Sequence, residues 1–95
     1  MQRKTAEYIR IPHEVFYDDR ITPAEVMTYG FLLNACRYTK FTRVTNNSLV
    51  GMLDVSRSSI KRYIANLKAC GHIEVEYMEE LGNVRRIYPQ ILPEY

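Results

Sequence analysis

No run of eighteen apolar residues occurs anywhere in the 95-residue chain, which excludes a membrane-spanning helix. Cysteine is scarce. The two present, Cys36 and Cys70, are too few for a disulfide-built secreted scaffold. Both fall in segments that read as helix, so they are expected to be reduced, buried, small apolar residues of a cytoplasmic protein; a Cys36–Cys70 disulfide is the alternative. No apolar stretch follows the charged residues 1–7, so a secretory signal peptide is not expected. His13 and His72 lie far apart in sequence, and Cys70-Gly71-His72 has no second ligand pair to match it, so no metal site is expected. A glycine-rich phosphate loop is missing, and so is any nucleophile–base signature. Neither a catalytic role nor a cofactor is expected.

What is present describes one small folded domain spanning residues 1–95. Apolar residues make up 46% of the chain and charged residues 25%, which argues against disorder. Eight tyrosines are an excess; as amphipathic side chains they are expected both in the core and at the edge of a partner surface. Tyr29, Phe31 and Tyr38 are expected to serve packing or a dimer surface, and Tyr63 to lie beside the core. The net charge of +2 conceals a strong asymmetry. Residues 1–24 balance to zero, and Glu25 is the only charge in 25–36. Residues 37–68 then carry Arg37, Lys40, Arg43, Arg57, Lys61, Arg62 and Lys68 against Asp54 alone, net +6. The remainder, with Arg85 and Arg86 against five glutamates, is net −3. A basic middle of this kind is expected where one face meets a polyanion.

The pattern of caps and periods places the elements. Tyr8-Ile9-Arg10-Ile11, ending at Pro12, reads as a short N-terminal edge strand. One helical turn can follow at residues 13–17. Thr22, Pro23 and Glu25 form a capping box with proline at the first helical position, opening a helix expected to run to about Tyr38. Gly30 inside it is expected to admit close approach of a neighbouring helix. Residues 39–44 read as a loop or short strand. Thr45 caps a second helix over 46–53, Asp54-Val55 is a turn, and Ser56 caps a third helix to about Ala69 or Cys70. Gly71 supplies a left-handed stop. Beyond it the period changes to two over 72–77 and again over 84–88, with a Gly82-Asn83 turn signal between them, which predicts a β-hairpin.

Helix, tight turn, helix and hairpin in this order are decisive through their spacing. Leu49, Leu53, Val55, Ile60, Ile64 and Leu67 can form one apolar triangle that sets the second helix across the third. The other side of the third helix then carries Arg57, Ser58, Lys61 and Arg62, with Arg57 and Ser58 in its first turn. Arg57 or Arg62 suits the bidentate contact to a guanine edge. Ser56, Ser58 and Ser59 are small enough for close approach, and Ser58 or Ser59 can bond a phosphate or a base. Backbone N–H groups after Thr45, near Asn46 and Asn47, can hold a phosphate. Lys61 and Lys68 suit phosphate contacts, and Arg85 and Arg86 suit a wing touching the backbone or the minor groove.

The stretch from Val44 through Val55-Ser56-Arg57 and Ile60 to Leu67, with Gly71-His72-Ile73 leading into the hairpin, resembles the winged helix-turn-helix family of bacterial regulators. Within that family it looks most like the N-terminal domains of plasmid and phage replication initiators. The resemblance covers residues 8–88 and implies an α+β fold. It implies three main helices, a helix-turn-helix at about 45–70, a wing at about 72–88, and a DNA-binding role. Three features depart from the family pattern. Asp54 stands where glycine is common, Glu79-Glu80 places acid in the wing, and initiators carry a further domain.

The expectation is a sequence-specific binder of double-stranded DNA acting as a homodimer. It would be a small transcriptional regulator or an origin-binding accessory factor of a plasmid, phage or conjugative element, with replication or transfer proteins as further partners. The alternative is a winged helix adaptor that binds protein and not DNA. The net −3 tail favours the adaptor slightly, and the net +6 middle opposes it.

Overall fold

Thr22 opens the central helix by a reciprocal pair of bonds. Its hydroxyl accepts from the Glu25 N–H at 3.2 Å, and Glu25 Oε1 accepts from the Thr22 N–H at 2.8 Å. A computed structural model describes residues 9–78 and 84–91. Its elements are α1 (His13–Phe16), α2 (Pro23–Ala35), α3 (Asn46–Leu53), α4 (Arg57–Ala69), β1 (Ile73–Met78) and β2 (Val84–Pro89). Four helices are followed by a two-stranded antiparallel hairpin, an α+β arrangement. Among the described residues no helix is long and apolar enough to cross a membrane.

α2 is buried on most of its circumference, through Glu25, Val26, Thr28, Tyr29, Gly30, Leu32 and Leu33. It stops at Ala35, short of the expected Tyr38. The Cys36 N–H turns to the Leu33 carbonyl at 3.0 Å, a tighter bond that closes the helix, and Tyr38 is left exposed. Two expectations about the N-terminal side are corrected. Tyr8 lies outside the described residues, and residues 9–12 form no strand. Ile9 and Ile11 instead pack onto Gly30, where an added Cβ would lie 2.7 Å from Ile9 Cγ2 and 3.4 Å from Ile11 Cγ1. The close neighbour of Gly30 is therefore this extended segment and not a helix.

The caps of the next two helices follow the sequence. The Thr45 hydroxyl accepts from the Ser48 N–H at 3.1 Å, and the Ser56 hydroxyl accepts from the Ser59 N–H at 3.1 Å. Asp54 ends α3 in the left-handed region at φ 56°, a conformation that a short polar side chain tolerates. Gly71, at φ 82°, ends α4: its N–H meets the Lys68 carbonyl and the His72 N–H meets the Leu67 carbonyl, each at 3.0 Å.

The hairpin pairs Ile73 with Pro89 through to Met78 with Val84. The Gly82-Asn83 turn signal and Glu79-Glu80 lie outside the described residues. A one-residue bridge joins Thr42, in the segment left open as loop or strand, to Ile87. The core runs from Val15 and Tyr29, Leu32 and Leu33 of α2, through Leu49, Ile60, Ile64 and Leu67, to Ile73 and Ile87 of the hairpin. Leu53 and Val55 are only half-buried at its margin, so the apolar triangle closes chiefly through Leu49 and α4. Cys36 and Cys70 are free thiols; Cys36 is buried and Cys70 half-buried.

A polar cluster holds α4 to the preceding segments. Asp18 takes two bonds from the Arg20 guanidinium, at 2.8 and 2.7 Å, and one from the Arg20 N–H at 2.9 Å. His72 Nε2 lies 2.6 Å from Asp18 Oδ2. An ionised carboxylate only accepts, so the ring N–H is the donor. Asn66 of α4 donates to the Arg20 carbonyl at 3.2 Å and to buried Glu25 Oε1 at 2.9 Å.

Candidate nucleic-acid interface

α4 divides into two faces because its apolar residues recur at helical spacing. Ile60, Ile64 and Leu67 are buried. Arg57, Ser58, Lys61, Arg62, Ala65 and Lys68 are exposed and, at 100° per residue, cover about 140° of arc. This arc carries four cations and no carboxylate. Arg62 is steadied by the Tyr63 ring, with its Cζ 5.6 Å from the centroid.

Two grooves open beside α4 and meet at Asn46, Tyr77 and Arg85. The first, of about 510 Å³, lies between the start of α3 and the hairpin, and Arg43, Asn47 and Arg57 complete its walls. The second, of about 320 Å³, lies between α4 and β1, where Lys61 and Lys68 flank Ile64, Ala65 and Val75.

The expected site residues distribute unevenly over this surface. Arg57 Nη1 donates to Asn47 Oδ1 at 2.6 Å, so the first turns of α3 and α4 are joined directly. Thr45, Ser56 and Ser59 spend hydroxyl bonds on the caps: Thr45 also bonds Ser48 Oγ at 3.2 Å and Ser56 bonds Ser59 Oγ at 3.0 Å. Ser58 is free of that role and exposed. The hairpin separates Arg85 from Arg86, because adjacent strand residues point to opposite faces. Arg85 turns towards the helices and donates to the Val44 carbonyl at 3.2 Å and to Asn46 Oδ1 at 2.7 Å. Burial pushes its pKa downward, without removing the charge of a guanidinium. Arg86 lies across from Glu76, with its Cζ 4.7 Å from the Phe41 ring centre and its Nε buried without a hydrogen-bond partner.

Arg43 was not among the expected residues. It is exposed, stands in the first groove, and has its Cζ 5.8 Å from the Phe41 ring centre. Its sequence signal was the basic segment 37–68, but only folding of the 39–44 segment against β2 brings it beside Arg57 and Arg85. Lys40 of the same segment does not line either groove. Among the described residues no group of three His, Cys, Asp or Glu side chains is placed to hold a metal.

Compared with protein-family models, curated proteins and solved structures, the chain matches none of them.

Proposed function

We propose that the chain is a winged helix-turn-helix that binds double-stranded DNA, with α4 entering the major groove and the hairpin lying beside it as a wing. One observation carries the reading: the exposed arc of α4 holds Arg57, Lys61, Arg62 and Lys68, is free of carboxylates, and opens into two grooves bordered by further basic residues. The wing contributes through Arg85 on the helix side, while Arg86 is committed to Phe41 on the other face. Service as a small regulator or as an origin-binding accessory factor of a mobile element follows from the sequence resemblance alone.

Two copies on two half-sites would enlarge the limited interface that one small domain offers. An exposed apolar groove formed by Ile11, Phe16, Tyr17, Ile21, Val26 and Met27 supports a protein contact of this kind. Met27 points about 160° away from Glu25, the α2 residue bonded to α4, so that contact would leave α4 accessible. The same groove is the observation that favours the second reading, a protein-binding adaptor.

Fluorescence anisotropy of the chain with duplex DNA at graded salt separates the two. A DNA binder loses affinity with a log–log slope of about −0.9 per phosphate neutralised. Absence of duplex affinity at low salt would sink the first reading. Selection from a random duplex pool then gives the target, and its symmetry reports the number of copies bound.

A further inference from the structure

We infer that the groove between the start of α3 and the hairpin is a seat for a single phosphate-type oxyanion, held by Arg43, Arg57 and Arg85. For its source, a backbone phosphodiester, the inference rests on the DNA-binding reading; the seat itself does not.

The argument is one of donors and charge. Among the described residues no aspartate or glutamate lines the groove. Arg57 and Arg85 are each tied to neutral oxygens, Arg57 to Asn47 Oδ1 at 2.6 Å and Arg85 to Asn46 Oδ1 at 2.7 Å and the Val44 carbonyl at 3.2 Å. These bonds aim the guanidinium groups without cancelling their charge. They also occupy the carbonyl ends of both asparagine amides, so the NH2 ends remain to donate. The two asparagine amides and the three guanidinium groups can thus donate into a concavity carrying three positive charges. Arg85 is half-buried, and the loss of water makes its charge costly while the groove is empty. A tetrahedral oxyanion reverses that cost and accepts from several planar donors at once. The neighbouring groove offers no equivalent, because Ile64, Ala65 and Val75 interrupt its lysines.

Two measurements on the full chain test the inference. The first follows the backbone amide signals of Asn46 and Asn47 by NMR as sodium phosphate is added, against sodium chloride at matched ionic strength. A saturable shift specific to phosphate is expected, and its loss in the Arg43→Gln/Arg57→Gln double variant. Both side chains are exposed, and a thermal melt checks that the variant folds. Absence of a saturable phosphate shift in the wild-type chain overturns the seat, whatever the chain does with DNA.

The second measurement assigns the source. Arg43→Gln should make the salt slope of duplex binding shallower by about 1, equally for unrelated sequences. A phosphate shift in a chain without duplex affinity retains the seat, gives it to a free phosphorylated ligand and removes the DNA reading. Duplex binding with an unchanged slope and no phosphate shift retains the DNA reading and removes the seat.

Discussion

At Tyr29 a single hydroxyl joins the middle of α2 to the chain beyond β2: it donates to the Ile91 carbonyl at 3.2 Å and accepts from the Ile91 N–H at 3.4 Å. The ring is fully buried, and burial pushes the hydroxyl pKa upward. Tyr29→Phe preserves the packing and removes both bonds. We expect a loss of about 1 kcal/mol in urea unfolding, with the hairpin signals of the folded state little changed. Cys36 offers a chemical readout of the same core. Burial pushes its thiol up to about 11, so at pH 8 it should resist a thiol reagent in the folded chain and react on unfolding. On the opposite surface, Arg62→Ala should weaken specific duplex binding by about 1–3 kcal/mol while leaving the melting temperature unchanged. A variant that prefers the target over unrelated duplex as strongly as wild type does would remove Arg62 from the reading surface.

The elements differ in how far local chemistry specifies them. The starts of α2, α3 and α4 were legible because Thr22, Thr45 and Ser56 each satisfy N–H groups that the helix cannot satisfy internally. Ser56→Ala should therefore cost about 0.5–2 kcal/mol, read from chemical denaturation. The stop at Gly71 was equally local, since the backbone there needs a positive φ. The N-terminal segment was not legible in the same way. Ile9 and Ile11 alternate like a strand, but a strand exists only where a partner supplies hydrogen bonds, and here a glycine on α2 supplies a packing surface instead. Gly30→Val should drive that segment off the helix and lower stability by about 1–3 kcal/mol. The candidate site shows the same division. The basic arc of α4 follows from helical spacing, whereas the company of Arg43, Arg57 and Arg85 comes from three segments distant in sequence. The inward turn of Arg85 depends on Asn46, which periodicity in the hairpin cannot reveal.

Across the whole molecule, Asp18 links the loop before α2 to the junction of α4 and β1. The Arg20 side chain, then the Arg20 N–H, then His72, hold its carboxyl well below the usual range by hydrogen bonding. A carboxyl depressed in the folded state contributes stability that is present above its unfolded pKa of about 4 and lost as pH falls below it. Wild type should therefore exceed Asp18→Asn in stability at pH 7, and the margin should shrink below about pH 4. A constant margin from pH 7 to pH 2.5 in thermal melts would show that the carboxylate charge is not what matters there.

The two bonds between Thr42 and Ile87, at 3.0 and 2.9 Å, add a temporal dimension to the architecture. They connect the approach to α3 with the last strand, and Ile87 itself is fully buried. Its amide is bonded to the Thr42 carbonyl, so it meets solvent deuterium once the 39–44 segment leaves β2. The hydrogen-exchange rate of that one amide should then report how often the segment opens, and a ligand that binds at the start of α3 only while the segment is in place should slow it by a factor of one plus the ratio of free ligand concentration to Kd.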